Sequence, residues 1–533
     1  MPEPKFAFAY IEQRSLSDPE IPLIVEADGT TCSYADAASA IRQWSGWLQQ
    51  ESERRLVRVA SLLENTAVPH LLRVAAARAG VVYTSLSPLL RGKTLADALD
   101  RSGITDIVVS DDDTLRRLDL GTAGPDRPLV VHKTAGREIL FTASGAIHAR
   151  TAPPERWPRP CHTLVYTSGT SGPAKPVRIP AELMTLYGQM LFGDRTGSWA
   201  DGGYYSPWHP AHILGAVALE AAMTRGLRLV LRRKFDLNAF WPDVVGHGCR
   251  LTVLISVANA VLAQREQAPA GHPLEVVGVS PVLSDYRRFE DAFGVEVVSI
   301  YGMTELGTVL TAGAPADRRL IGTPSPQYRC RVLPIEELPD LPGLLPGDQI
   351  GELAIAPVGP HSSYEPGSGP VTAWRDGWFH TGDIVIGRDG AYKFVGRAKD
   401  TIRRHGRNIS VQDLEEEVRA LPGVWECACV SYPDLAGPDA DGGEEDIRLF
   451  VVPVEPGAVD PAALVAALIE RVPRFMVPRY VDVLSELPQT PSGKLSRREL
   501  RELPITGGTY RRTQTGRLSC SVAGGGRRET AAG

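Results

Sequence analysis

Residues 166–177 read YTSGTSGPAKPV. The run has almost no apolar surface to bury, so it cannot build core. It is either a slack linker or a loop shaped to hold phosphate. It directly follows a short apolar strand, HTLVY at 162–166. In a Gly-rich turn, here carrying Gly169 and Gly172, successive backbone N–H groups can converge on an anion. Hydroxyls of Thr167, Ser168, Thr170 and Ser171 add donors, and Lys175 adds a full charge. The pattern is not GxxxxGK[ST], so the usual P-loop inference does not transfer.

The 533 residues are too many for one core, and two or three domains are expected. A hydrophobic fraction of 43% and a charged fraction of 23% are ordinary for a soluble globular chain. No apolar run reaches the length of a membrane span. The start, MPEPKFAFAYIEQRS, lacks a basic stretch leading into an apolar one, so a cytoplasmic protein is expected. A net charge of −6, with no aromatic-interleaved basic patch, argues against nucleic acid as a partner. The seven cysteines form no CxxC pair and read as small buried hydrophobes in a reducing compartment. Only eight of the 57 Lys+Arg residues are lysine, which draws attention to Lys175 and Lys494.

Outward from the opening loop, strands and helices alternate through residue 300. Ala37, Ile41, Trp44 and Leu48 form one helical stripe, RVASLL (58–63) and DIVVS (106–110) read as buried strands, and HLLRVAAARAG (70–80) reads as a helix ending on Gly80. This predicts an α/β fold of layered, largely parallel sheets. After about residue 320 short strands and Gly/Pro dominate, which predicts a β-rich subdomain. A small α+β unit starts near 398, with Ser410 capping a helix that carries Leu414, Val418 and Leu421, and Asp460-Pro461 opening another. The expected division is a large N-terminal domain over 1–397, a small mobile C-terminal domain over 398–504 and a flexible tail over 505–533.

Four further segments follow in order: SIYGMTELG (299–307), DGWFHTGDI (376–384), GRAKDTIRRHGRNIS (396–410) and LPQTPSGKLSRREL (487–500). Together with the opening loop they resemble the motifs of the adenylate-forming superfamily, which includes acyl-CoA synthetases, peptide-synthetase adenylation domains and beetle luciferases. SYADAASA near residue 33 and GVSPVLSDYRRFEDAFG (278–294) also fit, so the resemblance spans about residues 30–504.

The resemblance implies that a carboxylic acid is joined to ATP, releasing pyrophosphate, and that the acyl group then passes to the thiol of CoA. It further implies a set of roles. Lys494 would bridge the substrate carboxylate and the α-phosphate, Thr304 would hydrogen-bond that phosphate, and Glu305 would hold Mg²⁺. Tyr301, Gly302 and Met303 would border the adenine, Asp383 would accept the ribose hydroxyls with Arg397 assisting, and Gly278, Val279 and Ser280 would line the adenine and acyl sites. SPWHPAHILGA (206–216) would supply the acyl-pocket histidine, the HxxG spacing favouring His212 over His209, with Gly302 bordering the same pocket. Lys399 would be the hinge of the small domain, and Gly406, Arg407 and Asn408 would line the pantetheine path. Read singly, each has a plainer alternative: Lys494 a surface lysine, Tyr301 a core aromatic, Asp383 a turn residue, either histidine a satisfied core group.

The sequence also departs from the superfamily pattern. Pro176 follows Lys175 where glycine is usual, and HSSYEPGSG offers only Tyr364 where a Gly-Tyr is usual. No Asp between 204 and 216 is placed to meet a substrate amine, which argues for a plain acyl or aryl acid. Two other readings stay open. One is a stand-alone acyl-AMP ligase in a biosynthetic pathway, handing its product to a carrier-protein pantetheine or to a separate CoA-transferring enzyme. The other is a nucleotide-binding protein that keeps the fold for sensing. The sequence leaves room for an oligomer.

Overall fold

The computed structural model describes residues 6–110, 130–135, 138–140, 162–167, 174–193, 199, 202–255, 257–280, 286–313, 320–335, 345–366, 373–397, 401–404, 407–433, 445–488, 495–506, 508–512 and 518–520. Local signals act as expected where the chain enters and leaves helices. Ser33 opens helix Tyr34–Arg54 with a reciprocal cap: its Oγ accepts the Asp36 N–H at 3.1 Å, and the Asp36 carboxylate accepts the Ser33 N–H at 3.0 Å. The Ala37, Ile41, Trp44, Leu48 stripe is buried. Helix Ala67–Ala79 begins three residues before the expected start and stops on Gly80, whose φ of 70° is cheap only for glycine.

Two large sheets carry the first four hundred residues. One has six parallel strands in the order Pro22–Glu26, Arg228–Leu231, Gly203–Ser206, Cys249–Ile255, Val276–Ser280, Glu296–Met303. The β-rich region expected after residue 320 is not a separate sheet. Its strands continue this one in antiparallel fashion, through Gly307–Gly313, Leu320–Pro324, Ala391–Arg397, Trp378–Arg388, Gln349–Pro357 and Tyr328–Leu333. The second sheet is eight-stranded, parallel through its centre, and bounded on one side by the hairpin His162–Tyr166/Pro176–Pro180 and the short strand Ser363–Tyr364. Helices Tyr34–Arg54 and Ala67–Ala79 share one core with residues of both sheets. Within it Arg73 donates to both carboxylate oxygens of Glu220 at 2.6 and 2.7 Å, each side chain almost wholly buried. The C-terminal ends of the parallel strands, where ligands of open α/β sheets bind, carry Tyr166, Ser280 and Met303.

The small C-terminal unit has its own core. Hairpin Thr401–Arg404/Arg407–Ser410 leads into helix Val411–Arg419, and Leu414, Val418 and Leu421 pack with Leu449, Val451, Leu464 and Val481. Asp460 caps helix Pro461–Ile469 through the Ala462 N–H, with Pro461 in the first turn. Cys427 and Cys429 are buried on one face of strand Val424–Pro433, as read from the sequence. Among the described residues no helix is long and apolar enough to cross a membrane.

Two described stretches of the segment read as a tail are strands. Tyr510–Arg512 adds an antiparallel strand beside Tyr480–Val483, and Leu518–Cys520 pairs beyond it. Apolar periodicity gave no warning because this strand is held by polar contacts. Thr509 Oγ1 donates to Asp482 at 2.5 Å, and the Arg512 guanidinium reaches the carbonyls of Val477 and Pro478 at 3.2 Å. Asp482 in turn accepts from Arg448 at 2.8 Å, and Arg448, 1% exposed, also binds the carbonyls of Leu503 and Pro504. Asp482→Ala strands a buried guanidinium, and we expect it to destabilise the small domain by about 3–5 kcal/mol. Urea unfolding followed by circular dichroism measures this.

Candidate active site

The opening loop is the connection of a β-hairpin. Tyr166 pairs with Pro176, and the loop is pinched at its neck: the Thr167 N–H donates to the Lys175 carbonyl at 2.9 Å, and the Lys175 N–H to Thr167 Oγ1 at 3.0 Å. Pro176 is the first residue of its strand, where a missing N–H costs little. Arg101 holds the Ala174 carbonyl at 3.0 Å. Ser168, Gly169, Thr170, Ser171 and Gly172 lie outside the described residues, as do Lys399, Gly406 and Lys494.

SIYGMTELG is a second hairpin. Strands Glu296–Met303 and Gly307–Gly313 pair with Met303 opposite Gly307, which leaves Thr304, Glu305 and Leu306 at the turn. Thr304 and Glu305 are both nearly buried. The Glu305 backbone carbonyl accepts from Tyr187 at 3.3 Å and from Ser362, and its Oε1 accepts the Tyr364 phenol at 2.5 Å. The Lys175 ammonium stands 5.6 Å above the Tyr364 ring. The first and second motifs, far apart in the chain, therefore meet through Tyr364.

Four residues before Glu305, Tyr301 donates to Asp383 Oδ2 at 2.6 Å, while Arg397 Nε donates to Oδ1 at 3.1 Å. Burial first, and the Asp383 charge second, raise the Tyr301 phenol far above its usual range, so it remains a donor. Asp383 is not a turn residue. It lies inside the long strand Trp378–Arg388 at a register shift, with Gly382 at φ 71° and the Thr381 hydroxyl accepting the Asp383 N–H at 3.0 Å. Glu352 secures the bulge from the next strand, accepting from the Gly382 N–H and from His380 Nδ1, both at 2.9 Å. A bulge of this kind re-aims one side chain out of the ladder.

Other expected residues have structural employment. Val279 is buried in the core beneath its sheet, so its side chain cannot line a site and only its backbone can. Gly278 makes room for neighbours, since a β-carbon there would come within 2.4 Å of Ile300 Cδ1. Ser280, half-buried, ends the strand. His209 accepts the Ala211 N–H on Nδ1 at 3.0 Å and donates from Nε2 to the Leu63 carbonyl at 2.7 Å, so its polar capacity is used within the fold. His212 caps the short helix Ile213–Ala216 through Nδ1. The HxxG spacing has a steric basis, because a β-carbon at Gly215 would lie 2.3 Å from the carbonyl oxygens of both Trp208 and His209. In the small domain Arg407 and Asn408 belong to strand Arg407–Ser410. The Lys494 segment is bracketed by the Ser496 N–H donating to the Pro488 carbonyl at 2.8 Å. The motif arginine that follows, Arg497, is fixed to Glu415 at 2.6 Å and to the Cys429 carbonyl at 3.1 Å. Sequence reasoning missed Tyr364, Ser362 and Glu352 as partners. The one available signal was the unusual HSSYE ahead of the TGD motif.

A carboxylate at a hairpin tip, close to the neck of the glycine-bearing loop, and a second carboxylate on a bulge thus stand on one α/β scaffold. The chain belongs to the AMP-binding enzyme family, which it matches over residues 11–364, with the C-terminal domain of AMP-binding enzymes matched over 413–494. It is 32% identical to a sulfoacetate–CoA ligase of Cupriavidus necator over 393 residues, covering 72% of this chain and 74% of that protein. It is 27% identical to a crotonobetaine/carnitine–CoA ligase of Salmonella typhimurium over 357 residues, 63% of this chain and 66% of that one. The fold is similar to ATP-bound MatB from Rhodopseudomonas palustris, with a TM-score of 0.73 at 23% identity, covering 93% of this chain and 98% of that one. It is also similar to the o-succinylbenzoate CoA synthetase of Bacillus subtilis in complex with its acyl-adenylate, with a TM-score of 0.71 at 19% identity over the same shares. The chain is thus an ATP-dependent, AMP-forming acid–thiol ligase.

Two histidines near the seam between the sheets give the fold an acid limit. Burial pushes His209 down to about 4 and His70 down to about 3; His70 keeps Nε2 on Asn65 Oδ1 at 3.1 Å. Unfolded, both titrate near 6.5. Their stabilising effect is therefore full above pH 6.5 and is lost as pH falls toward those folded values, by up to about 1.4 kcal/mol per pH unit for each. The urea midpoint should fall steadily between pH 6.5 and 4.5, and His70→Gln should flatten that slope.

Proposed function

We propose that this chain activates a short, polar carboxylic acid lacking an α-amine and transfers it to CoA. The observation that carries the reading is the meeting of Lys175, Tyr364 and Glu305 beside the phosphate-type loop, with Asp383 held on its bulge by Tyr301 and Arg397. The named relatives, ligases of sulfoacetate and of crotonobetaine or carnitine, support a small polar acid. The absence of an Asp between 204 and 216 supports one without an amine.

The chemistry sets the demands on the site. A carboxylate must approach an anionic α-phosphate, and two unit charges 4 Å apart repel by about 4 kcal/mol at the dielectric of a partly buried site. Carboxylate oxygen attacks phosphorus as the bond to pyrophosphate breaks. Lys494 brings an ammonium to both groups, and Thr304 donates its hydroxyl to the phosphate. The phosphate loop and Lys175 hold the outgoing pyrophosphate, and Asp383 fixes the ribose. Glu305 and Thr304 offer the hard oxygen donors that suit Mg²⁺, and among the described residues no cluster of three or more His, Cys, Asp or Glu competes for a metal. One carboxylate plus nucleotide phosphates is the usual holder of that ion, which would neutralise phosphate charge when bound. In the second half-reaction the small domain turns about Lys399, withdraws Lys494 and presents the Gly406–Arg407–Asn408 stretch to the pantetheine arm, whose thiolate displaces AMP. A cytoplasmic setting, with its CoA and reducing thiol pool, fits the chain's free buried cysteines.

Lys494→Ala should slow acid-dependent ATP–pyrophosphate exchange by at least a hundredfold while ATP affinity stays within about threefold, the pattern of an interaction made chiefly in the transition state. Unchanged exchange would remove Lys494 from the role. Wild-type protein given ATP, Mg²⁺, CoA and a panel of short polar acids should yield a thioester. Acyl-AMP accumulating under excess CoA would instead point to a carrier-protein acceptor.

A further inference from the structure

The segment Ser362–Glu365 joins the Glu305 turn to the strand that leaves the phosphate-type loop. Ser362 Oγ donates to the Glu305 carbonyl, and Tyr364 donates to the Glu305 carboxylate at 2.5 Å. Ser363 and Tyr364 pair as a short strand with Arg178 and Val177, directly after the phosphate-type loop, and the Glu365 N–H donates to the Pro176 carbonyl at 2.9 Å. The Glu365 carboxylate, 7% exposed, is held by Arg58 at 2.7 Å and by Arg178 at 3.3 Å. Arg58 comes from a central strand of the same sheet. The four residues thus form a strap, anchored to the sheet at one end and gripping both the backbone and the side chain of Glu305 at the other.

We propose that Tyr364 is a positioning residue for the metal-binding carboxylate, and that the strap couples the orientation of Glu305 to the strand leaving the phosphate loop. The proposal rests on the reading of Glu305 given above. Its physical basis is the behaviour of outer partners of metal ligands, which fix a ligand's orientation and whose loss costs affinity even though they never touch the ion. The Tyr364 phenol suits this role because its hydroxyl donates to Glu305 Oε1 at 2.5 Å while its backbone is fixed by pairing with Val177. The alternative is that the contact only satisfies a carboxylate buried during folding, with no bearing on ligand binding.

The test uses full-length protein, a non-hydrolysable ATP analogue and Mn²⁺, whose free concentration is read by electron paramagnetic resonance. Tyr364→Phe keeps the ring under Lys175 and removes only the hydroxyl. Its Mn²⁺ dissociation constant in the presence of the analogue should rise about tenfold or more, while binding of the analogue in EDTA stays unchanged. A Mn²⁺ constant within twofold of wild type would overturn the proposal. If Tyr364→Phe melts before binding can be measured, Glu365→Gln replaces it. That variant loosens the anchor without touching Glu305, and it should raise the constant in the same direction; no rise overturns the coupling. Glu305→Gln separates the two layers of inference. If it binds Mn²⁺ as wild type does, the reading of Glu305 itself fails. If it loses Mn²⁺ while Tyr364→Phe does not, only the strap fails.

Discussion

The carbonyl oxygen of Gly307 stands 2.0 Å from where a β-carbon on residue 302 would lie. Much of the site follows from that approach. It permits the two strands to press together with a register shift between Tyr301 and Gly302, and it sets a three-residue turn carrying Thr304 and Glu305. Gly307 is confined in its own way, with φ at 68° and the Tyr187 ring 2.5 Å from its would-be β-carbon. A side chain at 302 would force backbone apart, and one at 307 would meet the buried Tyr187 ring on a backbone conformation that favours glycine. The Tyr301 hydroxyl that binds Asp383 and the Glu305 carboxylate are therefore presented from one short stretch of chain.

The sequence made the layers legible because layered sheets depend on local rules: alternation of element types, the helical stripe ending at Leu48, the glycine that stops a helix at Gly80. It could not show that the late strands extend the first sheet, since pairing partners are chosen by contacts distant in the chain. Motif order singled out Glu305, Tyr301 and Asp383 as candidates. What it could not supply was their neighbours. Tyr364 reaches Glu305 across 59 positions and Tyr301 reaches Asp383 across 82, and nothing local to either residue encodes such a meeting. Histidines were ambiguous for another reason: the same ring can line a pocket or tie down a loop. At His209 the backbone amide of Ala211 and the carbonyl of Leu63 decide for the loop.

Buried charge recurs where parts of the large domain meet, as in Arg73–Glu220 and the Arg58–Glu365–Arg178 group. Such pairs are poor sources of net stability, because desolvation offsets much of the attraction. They do penalise mispairing heavily, since a single displaced partner leaves an unmatched ion in the core. Their placement at junctions, between helices of different sheets and between the strap and the phosphate hairpin, suits groups that define how the pieces fit more than how tightly they hold.

The strand Tyr510–Arg512 lies beyond the stretch that matches the family's C-terminal domain, which ends at 494. By covering Tyr480–Val483 it takes up hydrogen-bonding groups that would otherwise form an open border, and an open border of a sheet is a template for foreign strands. Here the chain supplies its own selvedge, two short added strands of which the first carries Arg511 and Arg512, and charge on such a border discourages a foreign strand from joining it.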